Sequence, residues 1–364
     1  MKNIFYTFSL FASALYLSGC ASSNSLKANI DDYNFTTSYL QLPRKPLDTA
    51  YHTYSVNVET GLTTGIAVKK DDIVQRIEIA GWKKLRYDAH VQIKTKFEDV
   101  IIQGSEIKEK VDAIKSKDGK DSASRSTFYV EVTYSFASRA TLTDYKGQLI
   151  QNLILGERDQ IRIYKSEFFE NVAEAKAYSK YGLIMLTSQL TKESIGTAIT
   201  DLNNNLSYNY GFAEVRATDI LWILSSKNHP EYEAHRRAYV AFKQAIGHLT
   251  SDGPLEEVRN EMKPVIEYFN SVKKKYTTGD KNDRKMIYAS CYNLSKIYYY
   301  LDDAEGAMNE ANQLVMNGYD AKHGQFLEAA ANDLKILLRD TKFKNRHFPL
   351  RIEQYQGPGV ISRN

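Results

Sequence analysis

The chain has 364 residues, of which 43% are hydrophobic and 25% charged, a composition typical of globular proteins and long enough for two domains. Its 48 basic and 44 acidic residues leave a net charge of +4, too small an excess to commit a surface to nucleic acid. The composition therefore argues against disorder as the default state and against a nucleic-acid partner.

The first 19 residues have the parts of an export signal: Lys2, an apolar run over 4–17, and small residues before Cys20. The run is too short to span a bilayer comfortably, so we expect residues 1–19 to be removed. Leu17-Ser18-Gly19-Cys20 closely resembles the bacterial lipobox. That resemblance implies diacylglycerol on the sulfur of Cys20, and several acyl chains make such an anchor nearly permanent. The alternative is a cleaved soluble protein with an incidental cysteine.

The residues after the lipobox bear on its location. Ala21 stands where an aspartate retains many lipoproteins at the inner membrane, so the resemblance implies sorting to the outer membrane. Residues 22–25 carry no acidic cluster, and we therefore expect the periplasmic face. The only other cysteine is Cys291, so no internal disulfide remains once Cys20 carries lipid.

The sequence predicts an α+β fold whose first domain is rich in strands. Residues 20–47 are polar and without a sustained period, and we predict a lipidated N-terminus and tether there. Within a β-rich α+β domain over 48–225, alternating runs indicate strands with one buried face. These runs cover residues 54–58, 75–79, 91–97 and 128–136. A hairpin turn is predicted at 144–147, with further strands to about 165.

A charged stretch over 105–125 separates two of these runs. A solvated connection is the simpler interpretation, with a short helix through Ile107, Val111 and Ile114. The alternative is binding of an anionic partner such as lipid head groups or a cell-wall polymer. Its candidate anion-binding residues are Lys108, Lys110, Lys115, Lys117 and Lys120.

Helical spacing dominates from about residue 167. An apolar stripe over 195–206 predicts one long helix, after which 212–215 is expected to return a strand to the sheet. We predict a separate all-α domain over 228–345, beginning with a helical hairpin over 232–272, and a C-terminal tail over 346–364.

The segment 288–320 resembles a tetratricopeptide repeat. Leu294, Ser295 and Tyr298 match the first helix, a turn follows at 302–303, and Ala307 occupies the small position of the second helix. The terminal proline and two aromatic positions of the repeat do not match. The resemblance covers about one repeat and implies a closely packed helical hairpin.

No motif for catalysis, a cofactor or a metal is visible. No two of the seven histidines have the four-residue spacing of a helical zinc site, and Cys291 falls within an apolar helix. A nucleophile elbow and a phosphate-binding glycine loop are also missing. We therefore predict that the protein is not an enzyme; an envelope hydrolase without a visible motif is the least favoured alternative.

The abundance of tyrosine suggests where a partner would bind. Tyr288, Tyr292 and Tyr299 share one side of a predicted helix; core packing explains most of them, and any left exposed would form a docking face. The leading hypothesis is a non-enzymatic envelope lipoprotein that binds a protein partner through its tetratricopeptide-like helices. The alternative is a lipoprotein that binds glycan or peptidoglycan through exposed tyrosines.

Overall fold

The computed structural model describes residues 27–115 and 122–359, with the backbone alone at 113–115 and 122–123. The predicted α+β class is confirmed, with most strands before residue 165 and the long helices after it. The strands are β1 Ile30–Gln41, β2 Thr53–Thr60, β3 Lys83–Lys84, β4 Val91–Phe97, β5 Ile101–Lys115, β6 Ser122–Ser135, β7 Ser138–Asp144, β8 Leu149–Gly156, β9 Arg162–Lys165 and β10 Ala213–Leu224. The helices are α1 Leu62–Ala67, α2 Lys70–Arg76, α3 Val172–Ala177, α4 Leu183–Tyr210, α5 Tyr232–Gly247, α6 Leu255–Lys275, α7 Lys281–Tyr300, α8 Ala304–Asn317 and α9 Ala321–Thr341.

A five-stranded sheet in the order β3-β2-β4-β7-β8 carries the first core. Strands β2 and β4 are parallel and are joined through α1 and α2, while β7 and β8 form the predicted hairpin. In its turn, the Asp144 carboxylate accepts hydrogen bonds from the amides of Lys146 at 2.9 Å and Gln148 at 2.8 Å. The apolar stripe of α4 is buried in the same core, as its spacing predicts.

The predicted strand over 75–79 is wrong. Residues Lys70–Arg76 form α2, and Ile73 and Ile77 are buried at a spacing of four, which fits one helix face. Ile77 and Ile79 are also both buried, and this pair produced the apparent alternation.

The predicted solvated connection over 105–125, with its short helix, is also wrong. Strands β5 and β6 pair antiparallel along this stretch, and β9 joins them in a three-stranded sheet. Ile107 and Val111 are four residues apart, a spacing that places side chains on one face of a strand as well as of a helix. The charged side chains over 105–112 are mostly exposed to solvent, because this outer part of the hairpin packs little against the core.

The predicted tether does not extend to residue 47. Residues Ile30–Gln41 form β1, which pairs antiparallel with β10 at all twelve positions. The predicted strand return at 212–215 therefore exists as the start of β10, but in a separate two-stranded ribbon. Phe35 of β1 and Leu221 of β10 pack into the core of α5, α6 and α7, so the ribbon lies with the helices.

Helices α5 to α9 pack in chain order, each against the next. Within the repeat-like pair, Ala307 of α8 is fully buried, and the Ser295 hydroxyl of α7 donates to the Ala307 carbonyl at 2.9 Å. Small side chains at both positions allow this close approach. No helix within the described residues is long and apolar enough to cross a membrane.

Residues after α9 do not form a free tail, which corrects the prediction for 346–364 over its described part. Phe343 and Phe348 stack on each other with ring centroids 4.9 Å apart and flank Phe212. Arg346 and His347 are buried beside Asp302, in the turn between α7 and α8. The segment 343–350 is therefore a strap between the helices and the first core.

Candidate functional site

Two of the three candidate partner-binding tyrosines are buried. Tyr288 and Tyr292 are 2% and 8% exposed and pack with Trp222 of β10. The Tyr288 hydroxyl lies 2.7 Å from Nδ1 of His323, and burial raises the pKa of both phenols. They belong to the contact between α7, α9 and the ribbon, so they form no docking face.

Tyr299 lies on another part of α7 and is half-buried. Its ring centroid is 4.7 Å from the guanidinium carbon of Arg346, and its carbonyl accepts a hydrogen bond from Nη2 at 2.8 Å. Tyr299 therefore holds the strap, and the structure does not bring the three tyrosines together on one exposed surface.

Two of the five candidate anion-binding lysines have described side chains, and both pair with acids. Lys108 pairs with Glu106, and Lys110 pairs with Asp112 at 3.0 Å, in each case an acid of the same strand. The backbone of Lys115 ends β5, while Lys117 and Lys120 lie outside the described residues. Because neighbouring acids balance Lys108 and Lys110, these two lysines do not form a concentrated positive site.

The candidate lipidation site, Cys20, lies outside the described residues as well. Over the described ranges, no group of three or more histidine, cysteine and acidic side chains is arranged to hold a metal ion. Cys291 is fully buried, and that burial raises the pKa of its thiol to about 12. At neutral pH this thiol is protonated and out of contact with solvent.

The most exposed apolar side chains of the protein lie where α1 approaches α4. Leu62 and Ile66 of α1 are each 86% exposed, and Ile184 and Met185 of α4 are 84% and 80% exposed. Between the two helices runs a groove of about 450 Å³, with Ile66 on one wall and Ile184 on the other. Its remaining lining is formed by Thr63, Ala67, Thr187, Ser188, Thr191 and Lys192.

Asp99, in the turn between β4 and β5, positions α1. Its Oδ1 atom accepts a hydrogen bond from the Thr64 amide at 2.8 Å, and the Thr64 hydroxyl donates to the Glu98 carbonyl at 3.1 Å. A Cβ on Gly61 would lie 2.4 Å from Oδ1 of Asp99, so a larger residue before α1 would have to displace the carboxylate that positions the helix. Leu62 and Ile66 are thus presented by a short helix that is fixed at its start.

The electrostatics of Asp99 agree with this role. Partial burial alone would raise the pKa of its carboxyl, but hydrogen bonds from Thr64, Thr63 and Leu62 outweigh it and leave the pKa lowered. The carboxylate is therefore ionised at neutral pH and bound by several donors. Ionised Asp99 stabilises the position of α1.

Sequence reasoning missed this surface, although two signals were present. Leu62 and Ile66 are four apart, which puts them on one face of a helix turn. Residues 183–186 form an unbroken apolar run, wider than the single stripe that a helix buries against a sheet. Leu186 enters the core, so Ile184 and Met185 are left outside.

A second groove, of about 390 Å³, lies on the polar face of the central sheet. It is lined by Ser55, Asn57, Gln92, Lys94, Thr141 and Thr143, together with the turn over 86–88. Tyr87 in that turn is 63% exposed. Polar side chains beside an exposed aromatic ring offer hydrogen bonds and a stacking surface in one place.

Comparisons with known proteins leave the chain unassigned. No protein-family model matches the sequence, and no curated protein matches it significantly.

Proposed function

We propose that this chain is a lipid-anchored envelope protein that binds a protein partner without catalysing a reaction. The lipobox-like segment 17–20 supports the anchor, Ala21 supports the outer-membrane location, and residues 22–25, which carry no acidic cluster, support the periplasmic face. The observation that carries the binding role is the exposed apolar groove between α1 and α4. Contiguous exposed apolar surface of this kind is typical of interaction sites.

Magnitudes favour a partner that covers the whole groove. Ile66 and Ile184 line the groove, whereas Leu62 and Met185 lie on the same two helices outside its lining. Complete burial of a large apolar side chain contributes about 1.5–3 kcal/mol, so the two lining residues offer roughly 3–6 kcal/mol. Association costs about 4–15 kcal/mol in lost freedom, so these two residues alone give weak binding. Groove hydroxyls and Lys192 at the rim would supply the polar contacts that fix orientation.

The groove hydroxyls are engaged in the helix rather than poised for chemistry. Thr187 donates to the Leu183 carbonyl and Thr191 to the Thr187 carbonyl, both at 2.7 Å. The lining contains no histidine and no carboxylate that would take a proton from a hydroxyl. This supports binding rather than nucleophilic catalysis.

Site-specific photo-crosslinking in intact cells tests the proposal. A photoreactive residue at position 66 or 184 should give a discrete protein adduct. The same residue at Met316, which is 77% exposed on α8, is the matched control and should give none. Equal labelling from all three positions, or no adduct from 66 and 184, would show that the groove has no dedicated protein partner.

The groove beside Tyr87 favours a second candidate function, binding of glycan or peptidoglycan. Stacking of a sugar on Tyr87 would place its hydroxyls near Asn57, Gln92 and Lys94. Sedimentation with purified peptidoglycan tests this. Tyr87→Ala should release the protein and Tyr181→Ala, at another exposed tyrosine, should not; retention of both variants, or no sedimentation of the parent chain, would eliminate this alternative.

A further inference from the structure

The ribbon of β1 and β10 together with α5 to α9 forms the helical module, and residues 42–212 form the β-rich module. The N-terminal segment enters the fold at one end of the helical module. The amide of Ala28 donates to Oδ1 of Asn282 at 3.1 Å, at the start of α7. The amide of Asn29 donates to the Ser226 hydroxyl at 2.8 Å, just after β10. Residue 28 is therefore fixed to the end of the module where α7 begins and β10 ends. We call this the entry end.

The opposite end of the ribbon meets the β-rich module. Gln41 pairs with Ala213, and the Leu40 amide donates to the Arg346 carbonyl of the strap at 2.8 Å. Twelve paired residues at about 3.3 Å each make the ribbon roughly 36 Å long from Ile30 to Gln41. Because this pairing keeps the ribbon extended over its whole length, its two ends are held apart.

The distance from the lipid to the entry end is short. Eight residue steps separate Cys20 from Ala28, and a fully extended chain spans at most about 3.6 Å per residue. The bilayer surface can therefore be no more than roughly 29 Å from Ala28. This greatest possible distance between the bilayer and the folded chain is much shorter than the one that a tether reaching residue 47 would allow.

The entry end carries lysines without ion-pair partners. Lys27, Lys227, Lys274, Lys281 and Lys322 are exposed there, and none makes an ion pair with a described residue. Asp280, Asp283 and Asp320 keep their negative charge at this end, but they are half-buried and accept hydrogen bonds from backbone amides, and Glu231 is buried and pairs with Lys275. The acids whose side chains are fully exposed there are Asp31, Asp32 and Glu233, fewer than the five exposed lysines.

We propose that the entry end rests on anionic lipid head groups, so that the β1–β10 ribbon holds the β-rich module and its α1–α4 groove away from the bilayer. This inference rests on the lipid anchor of the proposed function. Lysines near an anionic surface are attracted to phosphate head groups, and the short tether keeps them within reach. The groove then faces the periplasm, where a protein partner has access to it.

Energy transfer in lipid vesicles tests the orientation. The lipidated chain receives one dye at an introduced cysteine, Thr278→Cys at the entry end or Lys146→Cys on the β-rich module, and the vesicles carry an acceptor lipid. Cys291 is buried and Cys20 carries lipid, so each variant has one reactive thiol. We expect strong transfer from 278 and several-fold weaker transfer from 146.

The outcomes separate the orientation from the anchor. A chain that co-sediments with vesicles but gives equal transfer from both positions, or more from 146, overturns the orientation alone. A chain that does not co-sediment overturns the anchor and this inference with it.

The lysines are tested without lipid on the chain, using residues 21–364, which contain every described residue. Each lysine near an anionic surface contributes about a fivefold change in affinity. The triple variant with Lys227, Lys274 and Lys281 changed to Gln should therefore bind phosphatidylglycerol vesicles roughly 100-fold more weakly. A matched triple change at Lys69, Lys70 and Lys176, which are exposed on the β-rich module and make no ion pair with a described residue, should change binding less than twofold. Equal losses in both variants would overturn the role of the entry end.

Discussion

Arg346 and Asp302 form a buried ion pair with two hydrogen bonds, in which Nε donates to Oδ1 and the Arg346 amide donates to Oδ2, both at 2.6 Å. Their side chains are 3% and 0% exposed. The guanidinium also lies 4.2 Å from the ring centroid of Tyr39 in β1. One side chain thus joins the strap, the turn between α7 and α8, and the ribbon.

Removal of Arg346 should leave the Asp302 carboxylate buried without its partner. We expect Arg346→Met to lower the free energy of unfolding by about 3–5 kcal/mol, measured by urea denaturation. The double variant Arg346→Met/Asp302→Asn should recover part of that loss, because no uncompensated charge remains. Arg44→Met, which breaks the exposed pair with Asp333, should cost no more than about 1 kcal/mol. Similar losses at both arginines would contradict the assignment of the strap as structural.

Ala307 tests the close contact within the repeat-like pair. Ala307→Leu adds volume where the Ser295 hydroxyl already reaches the Ala307 carbonyl, and should cost about 1–3 kcal/mol. A change at the neighbouring exposed position, Asn309→Gln, should stay within about 0.5 kcal/mol. Thermal melts of the full chain compare the two. If both midpoints are equal, the tight contact of α7 with α8 is not present in solution.

His235 should make stability depend on pH. Burial lowers the pKa of its imidazole to about 4, against a smaller opposing effect of the Trp222 carbonyl that it contacts. The unfolded chain takes up this proton near pH 6.5, and the folded chain only near pH 4. Stability is therefore lost as the pH falls through this window, by about 2 kcal/mol at pH 5 relative to neutral pH.

Other histidines with lowered pKa values also affect stability over this pH range, so a variant is needed to isolate the contribution of His235. His235→Gln should reduce the change in unfolding free energy between pH 7.5 and pH 5 by about 2 kcal/mol. Asn309→Gln, at an exposed side chain that does not titrate, is the control and should keep the slope of the parent chain. Identical slopes for the parent and His235→Gln would mean that folding does not lower the pKa of His235.

Thiol counting tests lipidation and burial together. The mature lipidated chain should show no thiol that reacts with a maleimide at pH 7, because Cys291 is buried with a pKa raised to about 12. Unfolding in guanidinium should expose one thiol. A native chain of mature length with one reactive thiol would show that Cys20 carries no lipid.

Much of the fold follows from local periodicity. The strands over 91–97 and 128–136, the hairpin turn at Asp144 and the buried face of α4 were predicted because each has one buried and one solvated face. The helix boundary at the turn 302–303 followed from the repeat-like spacing, and Asp303 caps α8 there.

The remaining errors concern pairings that a local pattern cannot show. The polar sequence of β1 led to the prediction of a tether. Its strand structure depends on pairing with β10, some 180 residues later in the chain. The strap was predicted to be a tail because a charged residue such as Arg346 is expected at the surface, and its burial depends on the pairing with Asp302. The prediction of a docking face at the candidate tyrosines was wrong for a related reason. Helix spacing shows which residues share one side of α7, but the ribbon that covers Tyr288 and Tyr292 is distant in sequence.

The ribbon makes the β-rich module an insertion within the helical one. The chain leaves the ribbon at Gln41 and returns at Ala213, and these two residues face each other. During synthesis β1 therefore emerges well before its partner strand, which follows only after the whole inserted module. Until then β1 has an unsatisfied edge that other chains can pair with. Correct folding thus depends on shielding this early strand, and completion of the helical module ends the period in which it can misassemble.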